Sequence, residues 1–406
     1  MPRLSRILAS ARHPGPAHCL AAAVAAVPEA EWNIAAHPAA AQLLAEAYPE
    51  VMAGARVIEV PFAEAQEADH DQIRAGLAFC ARLVDAIRPD VALRTTPSTG
   101  WGMDELVATA VAGRAPVIAL QDFPGLGIAL RAGAHPVAVG GVDAALAPDE
   151  ISAGWLSDRA QAPVTPVGWL AHDRFHRSPP YDRQRAESRR EAGIGASELC
   201  MLVIGSGPDI SLAAEAGLVA EAAAGAGALS PTPVTVEYRL HPRRPAAEAS
   251  GLAEALRVAL APNARLPAGR LAPGVAGLAA ADIVISRASV MNLETMAYAA
   301  TWHCADPPLS VYVLAGGQFP VAGYWGPGLP ATHLPDGGSL VIEAGLGAAI
   351  SRGMAARRDV GRRALARGYV SDPDRTRAIL RPLLTGSPGD RASTAQIILG
   401  KNDKTI

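Results

Sequence analysis

The sequence predicts an α/β protein made of two Rossmann-like parallel-sheet domains facing across a cleft. Three observations carry that reading. Short apolar runs alternate with helical periodicity along the whole chain, the signature of strand–helix–strand crossovers. A polar, proline-containing stretch at 171–190 interrupts the alternation once, after which it restarts. The length of 406 residues suits two or three domains at roughly 150 residues each. Half of the residues are hydrophobic and 18% are charged, enough apolar material for real cores. The 39 glycines and 34 prolines fit many short elements joined by turns and exclude a coiled coil or a long bundle. Net charge is −3, so the basic excess of a nucleic-acid binder is absent and no nucleic acid is expected as partner.

The first strand is read at Arg6–Ser10, followed by an Ala-rich helix to about Val27. Further strands are expected at Trp32–Ala36, Arg56–Val60, Val91–Arg94, Val117–Leu120, Ala144–Ala147 and Val164–Val167. Helices are placed near Ala39–Ala47, Asp71–Ile87 and Glu105–Val111, with another beginning near Asp149. In the second of these, Ile73, Leu77, Phe79 or Cys80, Leu83, Val84 and Ile87 recur at three- and four-residue spacing and form a core-facing stripe. Beyond the interruption, strands are expected at Leu199–Gly205, Val234–Leu240 and Asp282–Ser286, with helices at Ser211–Ala224, Ala246–Leu260 and Val290–Ala299. The expected organisation is therefore a domain at 1–170, a linker at 171–190, a second domain at 191–385 and a flexible tail at 386–406.

Cys19, Cys80, Cys200 and Cys304 lie far apart without a CxxC pair, so reduced thiols in a cytoplasmic protein are expected rather than disulfides or a zinc site. The N-terminus shows no signal-peptide pattern, and no apolar run reaches the roughly 18 residues that a membrane span needs. Lysine occurs only at Lys401 and Lys404, a preference for arginine read as coding bias. The stretch holding Arg352, Arg357, Arg358, Arg362, Arg363 and Arg367 reads first as a solvated helix face; peripheral contact with anionic lipid is the alternative.

Open parallel sheets bind ligands outside the carboxyl ends of their strands, so the turns after strands are where chemistry is sought. Ala281–Glu294 is a buried strand running into a helix that opens near Ser289. The amides of that first turn, Val290 included, and the helix dipole attract phosphate, with Arg287 alongside. Glu294 stands where a carboxylate can accept from a sugar diol; an ordinary N-cap and a solvated charge are the plain alternatives. A second strand delivers Arg239, His241, Arg243 and Arg244 to the same edge, and Gly205, Ser206 and Gly207 form a third turn where backbone can approach a ligand. In the first domain, His13 and His18 follow the first strand, while Asp104 and Glu105 open a helix after the fourth and fit stabilisers of its N-terminus. Asp122 follows the fifth strand directly and could act as a general base, with turn formation as its competing role.

Together and in this order, these residues resemble the GT-B enzymes, which include nucleotide-sugar glycosyltransferases, non-hydrolysing UDP-N-acetylglucosamine 2-epimerases and CDP-glycerol glycerophosphotransferases. The stretch Asp282-Ile283-Val284-Ile285-Ser286-Arg287-Ala288-Ser289 resembles the segment that holds a donor's diphosphate, with Glu294 matching the ribose-binding carboxylate. Leu240-His241-Pro242 is similar to a Leu/Arg-x-His-Pro segment of several of these families, and Gly205-Ser206-Gly207 to the first turn of their donor domain. Departures are equally clear. Ser10-Ala11-Arg12-His13-Pro14 replaces the Gly-Thr-Arg-Pro-Glu-like turn of epimerases, and Arg287-Ala288-Ser289 is half a match to the Asp-Tyr-Ser-Ser of CDP-glycerol enzymes.

The resemblance implies an inverting, metal-independent glycosyltransferase that moves a sugar from a nucleotide-diphosphate donor to an unknown acceptor. It implies no cofactor beyond that substrate, and Asp122 or His13 as general base. Epimerisation stays open, since Asp122 falls where epimerases carry a catalytic carboxylate. A catalytically silent nucleotide-sugar-binding subunit stays open too, as does a homodimeric assembly.

Overall fold

The computed structural model describes residues 4–61, 70–95, 102–121, 142–157, 162–207, 210–241, 244–272, 274–287, 289, 291–313, 339–342, 345–354 and 370–386. The chain divides into two compact units, one formed by Met1–Arg174 with Ser371–Ile406 and the other by Phe175–Val370.

The first unit is a seven-stranded sheet with every neighbouring pair parallel. Its strands are β1 (Arg6–Ala11), β2 (Glu31–Ala36), β3 (Ala55–Glu59), β4 (Val91–Thr95), β5 (Val117–Leu120), β6 (Ala144–Ala147) and β7 (Val164–Pro166), in the order β3-β2-β1-β4-β5-β6-β7. The central strands are buried on both faces, which is why they read as continuous apolar runs. Helices α1 (Pro14–Ala26), α2 (Pro38–Ala47), α3 (Pro49–Met52), α4 (His70–Ile87), α5 (Met103–Val111) and α6 (Glu150–Ser157) complete the crossovers. Strand alternation splits the apolar residues of β1 and β4 between two cores. Ile7, Ala9, Val91 and Leu93 pack with α1, whereas Leu8 and Ala92 pack with α4 and α5.

The second unit carries β8 (Leu199–Ile204), β9 (Val234–Arg239), β10 (Ala264–Arg265), β11 (Ile283–Ser286), β12 (Leu309–Val313) and β13 (Ser339–Ile342). They form a six-stranded parallel sheet in the order β10-β9-β8-β11-β12-β13. Its helices begin with α7 (Arg174–Arg177, at the border of the units) and α8 (Tyr181–Glu191). They continue with α9 (Leu212–Gly227), α10 (Ala246–Ala259), α11 (Gly274–Ala280), α12 (Met291–Thr301) and α13 (346–354).

Two features differ from the sequence expectation. Residues 171–190 are not a linker: they fold into a 3-10 turn at Leu170–Asp173, α7 and most of α8. Two of their arginines turn inward. Arg185 Nη1 donates to the carbonyls of Ala279, Ala280 and Ala281 at 3.1, 3.2 and 3.0 Å, covering the carbonyl end of α11. One turn on, Arg189 donates to Ala280, and the two guanidiniums clamp Asp282 at 2.5 and 2.9 Å. Phe175 and Tyr181 supply the apolar side of the segment, each with its ring centred 5.2 Å from that of Tyr298.

The second difference is α14 (Pro373–Thr385), which belongs to the first unit and not to the end of the second. Its Ile379, Leu380, Leu383 and Leu384 join the α1 side of the first core, and Asp372 caps it by accepting from the amides of Asp374 and Arg375. The expected tail lies outside the described residues from 387 on, as do Arg357 to Arg367. Among the described residues, no helix is long and apolar enough to cross a membrane.

Within α1, the His18 ring pairs through Nδ1 with the Tyr48 hydroxyl. Burial, with Arg174 and His172 adding positive charge nearby, lowers its pKa from 6.5 to about 3. The folded chain thus takes up this proton later than the unfolded chain. Stability from neutral His18 is complete above pH 6.5 and lost as pH falls toward 3. In thermal melts, His18→Gln is expected to lose less stability between pH 7 and pH 4 than the parent does; parallel curves would contradict this account.

Candidate functional site

The strand order of the second unit reverses between β8 and β11, and that switch point is where a parallel sheet opens a crevice beyond its carboxyl ends. Ile204 of β8 stands beside Arg239 of β9 and Ser286 of β11. The three turns picked out in the sequence therefore arrive on one edge. They bring Gly205, Ser206 and Gly207 together with His241 on one side and Arg287 and Ser289 on the other. Val290 lies outside the described residues.

Each turn is held by specific contacts. The Gly205 amide donates to the Arg239 carbonyl at 2.8 Å. A Cβ at Gly205 would sit 2.6 Å from the Tyr238 hydroxyl and 3.0 Å from that carbonyl, so only glycine fits there. Tyr238 donates to Glu215 Oε1 at 3.2 Å, and Glu215, fully buried in the first turn of α9, also accepts from the Ser206 amide at 3.1 Å. Arg244 is buried and donates to the carbonyls of Ser206 at 2.8 Å, Gly207 at 2.9 Å and Ile210, and to Glu248 at 2.8 Å. It braces the turn from behind. The sequence named Arg244 as charge for a phosphate and missed Tyr238 and Glu215 as supports. A tyrosine one residue before the end of a strand, facing an acid in the next helix, is the signal that would have found them.

Two expected phosphate ligands are committed elsewhere. Arg239 and Glu237 share one face of β9 at a spacing of two, and their side chains pair at 3.1 Å. Arg239 Nη2 donates to the Ala272 carbonyl at 2.7 Å, while Glu237 accepts from the Leu271 amide. That guanidinium thus anchors the segment before α11. Arg287 is buried and donates to the Ala214 carbonyl at 2.6 Å, tying the β11 turn to α9. Burial lowers its pKa more than Glu215 raises it.

The opening of α12 is well ordered by local bonds. The Ser289 amide donates to Ser286 Oγ at 3.1 Å, and Ser289 Oγ accepts from the Met291 amide at 3.2 Å, which leaves the hydroxyl proton available to an acceptor. Tyr312 donates to the Ser289 carbonyl at 3.0 Å. Fully buried Asn292 donates through Nδ2 to the Val284 and Val311 carbonyls and to Ser310 Oγ, pinning the helix to β11 and β12. Glu294 is partly exposed in the first turn.

In the first unit the switch point falls between β1 and β4. His13 is the N-cap residue of α1, without a side-chain cap bond, and is partly buried. Asp122 lies outside the described residues. The structure gathers instead a cluster that the sequence had read only as helix-end charge. Fully buried Asp104 accepts from the Ser10 hydroxyl and from Thr95 Oγ1 at 2.9 Å through one oxygen. Beside it, Glu105 accepts from the Gly102 amide at 2.9 Å, the glutamate half of a capping box that glycine cannot reciprocate. Burial and then the Asp104 charge raise Glu105 from 4.5 to about 7; burial also raises Asp104, against the pull of Ser10, Thr95, Arg12 and Arg94. A carboxyl poised near neutrality at a switch point can exchange a proton with a substrate.

A cavity of about 430 Å³ borders Arg185, Arg189, Asp282 and Cys304. It lies at the amino ends of β8 and β11, opposite the turns just described, and its arginines are spent on Asp282 and on carbonyls.

No protein-family model matches this sequence, and no curated protein matches it. Solved structures do. The UDP co-structure of MnaA from S. aureus superposes with a TM-score of 0.64 at 10% identity, covering 94% of this chain and 96% of that one. UDP-GlcNAc 2-epimerase from Neisseria meningitidis, bound to UDP-GlcNAc, gives 0.62 at 10% identity over 92% and 98%. A glycosyltransferase from Rickettsia africae ESF-5 gives 0.56 at 10% identity over 99% and 100%. The chain has the GT-B fold. In this fold both switch points carry polar constellations, the second unit's built on backbone turns and the first unit's on ionisable side chains.

The close approach at Gly205 is directly testable. Gly205→Ala should cost about 1–3 kcal/mol in urea unfolding, the usual range for overpacking. Adding Tyr238→Phe, which removes the nearest atom, should recover part of that loss; strictly additive losses would place the strain elsewhere.

Proposed function

We propose that this protein is a nucleotide-diphosphate-sugar enzyme, an inverting glycosyltransferase that works without a metal ion. The second unit would hold the donor and the first would supply the general base. The observation that carries this reading is the convergence of the β8, β9 and β11 turns on one switch-point edge. That edge offers phosphate two hydroxyl donors. Ser206 Oγ has no hydrogen-bond partner among the described residues, and Ser289 Oγ keeps its proton while accepting from Met291. Partly exposed Glu294 and His241 suit the ribose diol and the edge of the donor.

In the transfer, the acceptor oxygen loses its proton to the base and attacks the anomeric carbon, while the bond from that carbon to the diphosphate breaks. The diphosphate leaves with the electron pair. The Ser206 and Ser289 hydroxyls, held in place beforehand, stabilise the charge that develops on it. Glu105 is the best-placed base among the described residues; Asp122 and His13 are the other candidates.

Thermal-shift measurement with UDP-, GDP-, CDP- and dTDP-sugars tests the donor assignment, since a ligand that binds only the folded form raises its melting temperature. One nucleotide should stand out. Ser206→Ala, Ser289→Ala and Glu294→Gln should each weaken it by about 1 kcal/mol, roughly fivefold. No shift with any of the four would sink the reading.

The base assignment is tested by rate against pH. Because the base must be deprotonated, turnover should rise through about pH 7 and then level off. Glu105→Gln should lower kcat by about 10²–10⁴ while donor affinity holds. Unchanged kcat would return the role to Asp122 or His13.

A second reading, non-hydrolysing epimerisation of UDP-GlcNAc, is favoured by the higher TM-scores to the S. aureus and N. meningitidis structures than to the glycosyltransferase. Incubation with UDP-GlcNAc alone separates the two. An epimer formed without acceptor supports the second reading, and donor consumed only with acceptor supports the first.

A further inference from the structure

Arg94 is the penultimate residue of β4, paired in register with Ala119 of β5, and its side chain is only 4% exposed. Two of its guanidinium nitrogens, Nε and Nη2, are buried without a hydrogen-bond partner among the described residues. The N–H bonds of those two nitrogens lie in the guanidinium plane and run side by side along one edge. They form the edge that meets a carboxylate or a phosphate through two parallel bonds. A buried cation is ordinarily paired, because a charge taken out of water without a partner is destabilising. Arg189 and Arg244, equally buried, follow that rule on Asp282 and on Glu248 with its neighbouring carbonyls. Arg94 does not.

The two carboxyls nearest in charge do not fill the gap. Asp104 turns one oxygen to Ser10 and Thr95, and Glu105 turns Oε2 to the Gly102 amide. Both act on Arg94 through charge alone, without a hydrogen bond. On the β1 side lies a second guanidinium, that of Arg12, packed so closely over Gly102 that a Cβ there would sit 2.7 Å from Arg12 Cζ. Two cations thus face two carboxyls, and one of these carboxyls is partly protonated at neutral pH. The local balance favours an arriving anion.

We propose that the Nε–Nη2 edge of Arg94 is an anion-recognition point that holds a carboxylate or phosphate group of the acceptor in the first unit. This rests on the reading that the first unit takes the acceptor, and it narrows that acceptor to one carrying a negative charge. Arg94 then orients the acceptor near Glu105 and takes no part in the proton transfer.

The test uses the full chain without nucleotide, melted in rising inorganic phosphate or acetate, with sodium chloride holding ionic strength constant. At least one anion should raise the melting temperature to a plateau, phosphate the more if the acceptor is a phosphate and acetate the more if it is a carboxylate. In Arg94→Met the shift should vanish. Without anion, that variant should melt at or above the parent, because an unpaired buried charge has been replaced by an apolar chain of similar length. Arg94→Lys, which keeps the charge but not the fork, should bind the same anion at least about tenfold more weakly. It also provides the comparison if Arg94→Met does not fold.

The proposal is overturned if neither anion shifts the parent. It is overturned too if the shift survives in Arg94→Met, or if both variants melt well below the parent, as for a structural arginine. UDP-sugar binding is measured on the same proteins. Its absence in all of them defeats the nucleotide-sugar reading, while the anion shift still judges Arg94 separately.

Discussion

A parallel strand covered by helices on both faces has one place to offer chemistry, the turn beyond its carboxyl end. Every arrangement of interest here follows from that constraint. Sheet order then decides which turns meet. β8 sits between β9 and β11, and β1 between β2 and β4, so each unit gathers its polar turns at the one place where its strand order reverses. The two gatherings differ in kind. In the second unit, serine hydroxyls stand on backbone turns, one of them packed so tightly against Tyr238 that it needs a glycine. In the first, the buried side chains of Arg12, Arg94 and Asp104 gather beside half-buried Glu105.

Arginine is the residue that most separates sequence from structure. Arg185, Arg189, Arg239, Arg244 and Arg287 each donate to main-chain carbonyls, at a helix end or at a turn. A planar cation with five donors can satisfy several orphan carbonyls at once, and doing so fixes the turn that carries them. Arginine charge therefore serves here chiefly as bracing. Arg94 stands apart because nothing among the described residues takes its side-on edge.

Much of the fold was legible. The central strands such as β1, β4, β8 and β11 announced themselves because burial on both faces demands unbroken apolar runs, and Ser211 marked the start of α9 by accepting from the Ala214 amide. Segment 171–190 was opaque because a sequence does not show which way a charge points. Arg185 and Arg189, four residues apart, look like a solvated face until the carbonyls of α11 are seen beneath them. The turn residues of the second unit were legible through their place after strands. The Asp104–Glu105 pair was not, since acids at the start of a helix are commonplace and only burial makes them unusual.

The return of α14 to the first core has a consequence for biosynthesis. The first unit is made of two stretches separated by the whole of the second. A ribosome therefore delivers every strand of the first sheet early, yet the leucines that cover its α1 side emerge only with Pro373–Thr385. The second unit can close as soon as its own stretch is out, while the first waits with apolar surface bare. On a growing chain the half begun first is the half completed last, and that interval is when it is most exposed to aggregation or to a chaperone's grip.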